Sequence, residues 1–368
     1  IGCGVGQQLI GLLIKSGTFF LYYLLYQHFR IYDISNAWYW WVILFVGVDF
    51  CYYWFHRISH EVNFIWATHI VHHQSEDYNL SVALRQSWFQ GLFSALFYLP
   101  LALVGFNPLM TLTVVAFNTL YQFWIHTEAI GKLGWFEYIF NTPSHHRVHH
   151  GSNRKYLDKN HAGTLIIWDR MFGTFKEEDT TPIYGITKPL KSWNPLWANF
   201  HYWVELYQIA RKAENIKSAL QVFIKSPGWH AEQSSDSENA SNWETNTIQK
   251  YDVIIPTRLS IYVLIQFGFL ILLATYLLFQ SAQLENLAII ASVGLAVVHL
   301  TLLGLMLEMK KFSIQFEWLR IISLASYVLF FEGTQVITIA ILVFIFISAI
   351  HYYFVSLFKP ISIDYIKL

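Results

Sequence analysis

From Trp88 to Ile125 the chain runs without a single Asp, Glu, Lys or Arg. A membrane-spanning helix needs about 20 mostly apolar residues, because each adds about 1.5 Å and the hydrocarbon layer is about 30 Å thick. The stretch is long enough for two passes. Phe106-Asn107-Pro108 near its midpoint supplies turn chemistry, which splits it into a hairpin with its tip on the far side. Further apolar runs lie at about 8–28, 37–55, 259–279, 286–307, 317–331 and 335–357, so eight passes are expected, with both termini on the same side. The first run, interrupted by Lys15, exceeds a signal-peptide core and reads as a helix that stays.

Composition agrees with lipid as the solvent. Hydrophobic residues make up 55% of the 368 and charged residues 13%, against roughly 25% charged in soluble domains. Formal net charge is zero, so no global field draws the chain toward nucleic acid, and no nucleic-acid partner is expected. The 15 Trp and 22 Tyr suit a membrane-water boundary. Cys3 and Cys51 by themselves make neither a disulfide framework nor a thiolate metal site. The expected fold class is all-α, a polytopic integral membrane protein. Residues 126–258 hold 15 of the 24 Lys and Arg and include an aromatic cluster, Trp193 to Trp203, suited to the interface. Three regions are expected: residues 1–225 as membrane helices with a polar cap, 226–258 as a polar linker, and 259–368 as four further membrane helices.

Charge orients these passes. Lys310, Lys311 and Arg320 fall in one C-terminal loop and Lys359 and Lys367 follow the last run, whereas the loops around Gln283 and Gly333 have no basic residue. Positive-inside asymmetry then puts every histidine-rich stretch on the cytoplasmic side, with Arg30 as the one basic residue against it. Asn239-Ala240-Ser241 is a glycosylation acceptor in the linker and is expected to stay unmodified.

Ten of the 16 histidines fall between positions 56 and 150. His56 and His60 form HxxxH; His69, His72 and His73 form HxxHH; His146, His149 and His150 form HxxHH again. On a helix, residues at i, i+3 and i+4 share one face, so each box offers two or three imidazoles to a common point. Eight such donors exceed the roughly four that one tetrahedral ion takes, which makes two metal ions in one cage the economical reading. Imidazole suits iron, zinc, copper and nickel alike, so the boxes do not name the metal. His126, in "FWIHTEAIG", ends the fourth expected helix on the same side as the boxes and joins the ligand candidates. His145 points about 100° away from His146 on a helix. His161, in "DKNHAG", either reaches the metals or caps a turn. Glu61, Glu76, Asp77, Glu128, Asp158 and Asp169 are the acids near enough in sequence to orient imidazoles through their second ring nitrogens.

These three boxes, in this order and separated by a membrane hairpin, resemble the fatty acid hydroxylase and sterol desaturase superfamily of membrane di-iron enzymes. Within it, "NTPSHHRVHHGSN", "YLDKNHAGTLIIWDRMFGTF" and "KSPGWHAE", with a C-terminal helical bundle, resemble the pterin-dependent, ether-lipid-cleaving branch. The motifs span about residues 49–231. The resemblance implies ligation by His56, His60, His69, His72, His73, His146, His149 and His150, with His126 or His145 additional. It implies two iron ions, dioxygen as co-substrate and a tetrahydropterin reductant. Glu61 matches a family glutamate associated with activity and the pterin, and it also suits a plain i+4 pair with Arg57. Glu61, His145 and His161 are the catalytic candidates, and Glu61, Trp168 and Asp169 the cofactor-pocket candidates. His161 stands where the family more often carries tyrosine.

The implied reaction hydroxylates the ether-linked methylene of an alkylglycerol, and the resulting hemiacetal collapses to a fatty aldehyde and a glycerol derivative. Implied partners are the bilayer, its lipid substrate, and a redox partner or pterin-recycling enzyme; the setting is the endoplasmic reticulum membrane in a eukaryote or the inner membrane in a bacterium. Arg147, Arg154 and Lys155 either meet a phosphate-bearing head group or satisfy topology. The alternatives are a sterol or fatty-acyl hydroxylase or desaturase fed by a redox protein, and a non-enzymatic membrane metal-binding protein.

Overall fold

The structure, a computed structural model, describes residues 1–229, 250–330 and 335–356. Asn239, His230 and residues 230–249 of the expected linker lie outside the described residues. The chain divides into two compact units, residues 1–191 with 197–251, and residues 192–196 with 252–368. No strand occurs among the described residues, only two isolated bridges, Phe140 with Leu165 and Gly151 with Tyr184.

In the first unit, α1 (Gly2–Phe29) and α2 (Trp38–Glu61) are followed by three single-turn helices, α3 (Asn63–Trp66), α4 (Ile70–His73) and α5 (Leu80–Ala83). The hairpin is α6 (Gln90–Val104) and α7 (Pro108–Trp124). After it come α8 (Pro143–His150), α9 (Ile167–Phe172), α10 (Pro195–Arg211, of which residues 197–211 belong to this unit) and α11 (Ile216–Ile224). Helix α6 packs on α1 and α2, and α7 on α2. Their shared core is Tyr22, Leu44, Val48, Leu101, Ala102, Phe106, Met110 and Val114. Tyr22 carries a hydroxyl into that core and satisfies it by donating to Phe106 O at 3.0 Å, with Thr111 Oγ1 at 2.7 Å.

The hairpin turn falls where the sequence places it. Gly105 ends α6 at φ 118°, and a Cβ there would lie 2.0 Å from the carbonyl oxygen of Tyr32. Asn107 caps α7, its side chain accepting from Leu109 N, and Pro108 takes the first helical position. The helices are shorter than the expected two passes: 15 and 17 residues give about 23 and 26 Å at 1.5 Å each. Trp88 and Phe89, read into the hairpin, lie instead in the loop before α6, where Trp88 is buried and its Nε1 donates to Cys3 O at 3.1 Å. Among the described residues, three helices are long and apolar enough to cross a membrane: α1, α12 (Thr257–Gln280) and α13 (Asn286–Leu307). Helices α6 and α7 fall short in length, and α2 carries Asp49, Arg57 and Glu61.

The second unit contains α12, α13, α14 (Ser313–Phe330) and α15 (Gln335–Ser356), each packed on the next and α12 also on α15. Its core includes Tyr262, Val263, Leu303, Met306 and Tyr352. Arg320 is not a loop residue as the charge count assumed: it lies inside α14, 3% exposed, with Nε 2.8 Å from Glu317 Oε2 and Nη2 2.9 Å from Gln266 Oε1. Glu317 also accepts from Tyr262 OH. A buried guanidinium needs such a closed set of acceptors, and the orientation argument loses one positive charge.

Candidate metal centre

The C-terminal turns of α2 carry His56 and His60 one above the other. The chain leaves α2 at Val62 in extended conformation and makes α3; His69 then caps α4, which presents His72 and His73. His126 follows the end of α7. Helix α8 has Pro143 at its first position and all eight of its residues buried, and it offers His146, His149 and His150 on one face.

These nine rings form two adjoining groups: His56, His60, His69, His73 and His149, and His72, His126, His146 and His150. Within each group the ligand atoms lie within 4.8 Å of one another. The groups meet where the His73 and His150 rings stack at 4.4 Å. Eight of them are the box histidines picked out by spacing, and the ninth is His126, a candidate from its place at the end of the fourth expected helix.

The hydrogen bonds decide what the rings can accept. His72 Nδ1 faces Arg85 O at 3.2 Å and His126 Nδ1 faces Gln122 O at 2.7 Å. A carbonyl oxygen only accepts, so both Nδ1 atoms carry the proton and both Nε2 atoms are bare lone pairs. Yet those two Nε2 atoms stand 3.2 Å apart. In the other group His56 Nδ1 is 2.7 Å from His161 O, His69 Nδ1 is 3.1 Å from Gln90 Oε1, and their Nε2 atoms are 2.9 Å apart. Two lone pairs at that distance repel unless a cation lies between or beside them. A proton is a poor candidate, since burial pushes His69 and His126 down to about 4. For His146, His149 and His150, burial first and neighbouring imidazoles second hold the rings well below their ordinary value. Nε2 of His60, His149 and His150 is buried without any hydrogen bond. Neutral imidazoles with converging bare nitrogens fit metal ions.

A cavity of about 340 Å³ adjoins the cage, with His60, His73, His149 and His150 in its wall. Trp66, Tyr202 and Trp229 give it aromatic sides, and Asp158, Lys188 and Glu205 polar ones.

The remaining candidates are placed differently. Glu61 is at the surface, Oε1 2.8 Å from Arg57 Nε, in the plain i+4 pair. His145 is buried outside both groups, its ring 5.3 Å from Phe175, and burial pushes it down to about 4. His161 is fully buried beside the five-histidine group, its ring 5.0 Å from that of His60 and 5.6 Å from that of His149. Trp168 Nε1 donates to Asp49 Oδ2 at 2.9 Å. Asp169 accepts from His161 N and Ala162 N, each at 2.8 Å, and from Thr174 Oγ1 at 2.6 Å; burial pushes its carboxyl up to about 6. Trp168 and Asp169 therefore brace the loop behind the cage and do not line the cavity. Arg147 is not free for a head group: its fork grips Glu178 at 2.8 and 2.7 Å, and Nη1 donates to Thr127 O and Ile130 O. Lys155 pairs with Asp179.

Sequence reasoning missed Asp49. Its carboxylate accepts from Thr164 N at 2.7 Å, Leu165 N at 3.0 Å and Asn118 Nδ2 at 2.7 Å, tying α2 and α7 to the loop before α9. Gly163 lets that loop approach, because a Cβ there would sit 3.0 Å from Asp49 Oδ1 and 2.8 Å from the Tyr52 ring. The signal was available: an acid alone within an apolar run needs a buried set of donors.

Residues 41–174 match the profile of the fatty acid hydroxylase family. An alkylglycerol monooxygenase of Danio rerio is 40% identical over 87% of this chain and 72% of its own length. One from Homo sapiens is 38% identical over the same shares, 87% and 72%. One from Xenopus tropicalis is 45% identical over 62% of this chain and 51% of its own length. No solved structure matches the chain.

Proposed function

The chain belongs to the fatty acid hydroxylase family, and from that premise we propose that it hydroxylates the ether-linked carbon of alkylglycerol lipids, releasing a fatty aldehyde and a glycerol derivative. It is an oxygen-dependent oxidoreductase, a lipid-hydroxylating monooxygenase and an integral membrane protein. The names of the relatives support the ether-lipid reading. The chemistry is carried by one observation, the facing bare Nε2 atoms of His72 with His126 and of His56 with His69, beside a cavity.

Nine histidines, His56, His60, His69, His72, His73, His126, His146, His149 and His150, are the proposed ligands. Two iron ions held by them would supply the redox change that activates dioxygen. The chain's own part is placement. Burial keeps the rings neutral, backbone carbonyls fix which nitrogen is bare, and the cavity holds the reacting methylene against the His60, His73, His149 and His150 wall while the alkyl tail stays in lipid. One oxygen atom enters the C–H bond beside the ether oxygen, and the other leaves as water with two electrons and two protons from a tetrahydropterin. The hemiacetal then loses its glycerol as the C–O bond breaks. Glu61, at the exposed end of the helix that carries His56 and His60, is the residue we place toward the pterin. We place the cage on the cytoplasmic side of the endoplasmic reticulum or bacterial inner membrane, where a pterin-recycling enzyme has access.

Purified protein given alkylglycerol, oxygen and tetrahydropterin is expected to release fatty aldehyde. Equal aldehyde without pterin would reject the cofactor. No aldehyde, but hydroxylated sterol or acyl chain with a redox protein as donor, would reject the substrate.

A further inference from the structure

Three of the five rings in the larger histidine group take their outer contact from a single four-residue turn. His56 Nδ1 lies 2.7 Å from His161 O, His149 Nδ1 2.9 Å from Lys159 O, and His60 Nδ1 3.4 Å from Asp158 Oδ1. The four-histidine group is held from elsewhere, His72 by Arg85 O and His126 by Gln122 O.

The turn adopts an unusual backbone to do this. Asp158 has φ 54° and Asn160 φ 56°, the left-handed region that Asp and Asn tolerate better than other side chains. Asn160, fully buried, locks it from behind: Nδ2 donates to His145 O at 3.0 Å and Lys176 O at 2.7 Å, and Oδ1 accepts from Lys176 N at 2.8 Å. Asp169 holds the far end through the His161 and Ala162 amides.

We propose that the turn Asp158–His161, locked by Asn160, sets the metal affinity of the five-histidine group separately from that of the four-histidine group. Asn160 and Asp158 are then positioning residues for one ion of a pair. The outer hydrogen bond of a ligating histidine fixes its tautomer and ring plane and raises its basicity, and its loss typically costs about 10–100-fold in metal affinity. Two such hydrogen bonds, to His56 and His149, and the Asp158 carboxylate beside His60 converge on one group, and no contact of these kinds from the turn reaches a ring of the other. The proposal rests on the two-ion reading above.

The test is Co(II) titration of the metal-free full-length protein, followed by visible absorption and metal analysis. Wild type is expected to take up two equivalents. Asn160→Gly keeps the left-handed backbone while removing the lock, and Asp158→Asn keeps the shape while removing the charge beside His60. Each is expected to weaken one equivalent by about tenfold or more and leave the other unchanged. In His126→Ala, which damages the four-histidine group, one equivalent should remain, and adding Asp158→Asn should weaken that one. Equal weakening of both equivalents, as general destabilisation would give, overturns the proposal, and so does no weakening of either. A wild-type chain that binds a single equivalent refutes the two-ion reading itself and the proposal with it.

Discussion

A ring that meets a cation through one nitrogen must keep its proton on the other, and here the backbone makes that choice for His56, His72, His126 and His149. Acid should therefore act on the metal-free protein through these rings. His126 is pushed down to about 4 by burial, against about 6.5 in an unfolded chain. Between those values the unfolded chain holds a proton that the folded ring refuses, so stability falls as pH falls through the window. Thermal unfolding of metal-free protein is expected at progressively lower temperature from pH 7 to pH 5, with bound metal opposing the loss; a flat profile contradicts the buried neutral cage. His72→Ala should lower metal content by one ion and cut lipid hydroxylation by more than about a hundredfold, beyond what outer contacts cost. Metal analysis and aldehyde formation check both. Glu61→Gln should raise the KM for pterin while leaving metal content intact, and an unchanged KM removes Glu61 from that role. At this scale the site was largely legible, because i, i+3 and i+4 spacing names side chains that share a helix face. What spacing does not show is the outer layer. The carbonyls of Arg85, Gln122, Lys159 and His161 act through the backbone, which every residue has, so no residue type marks them.

Among the elements, the break between α6 and α7 was readable from Phe106-Asn107-Pro108, whereas the length of the two helices was not. Trp88 and Phe89 continue the uncharged run toward its N-terminal side, yet they lie in a loop, where the Trp88 indole donates to Cys3 O. The turn itself should be intolerant. Gly105→Ala combines a left-handed φ of 118° with a Cβ 2.0 Å from Tyr32 O, and a non-glycine residue there costs on the order of 1–3 kcal/mol from backbone strain alone. A melting temperature within a degree of wild type would contradict this packing. In the second unit, Arg320→Ala leaves Glu317 buried without its partner, a loss of roughly 3–5 kcal/mol. The double variant Glu317→Ala with Arg320→Ala should recover most of that loss. If the double variant melts no higher than the single, the pair is not what holds α14 in place. Arg320 also shows why loop charges mislead in such chains: sequence position alone does not separate a basic residue beside a helix from one paired inside it.

At the scale of the whole molecule, orientation is the property most open to test. With the cage proposed on the cytoplasmic side, Asn239 should carry no glycan when the protein is made in a eukaryotic host, and a mass shift removed by glycosidase would invert the arrangement. The order of the donors along the chain has a consequence in time. The five-histidine group draws on positions from 56 to 149 and the four-histidine group on positions from 72 to 150, so a ribosome must have delivered α8 before either group is complete. The α6–α7 hairpin lies between the second box and His126. With the two ions proposed above, metal loading is accordingly a late event in biogenesis: it must wait until α8 has emerged, and a nascent chain stopped short of that point holds only an unfinished set of donors.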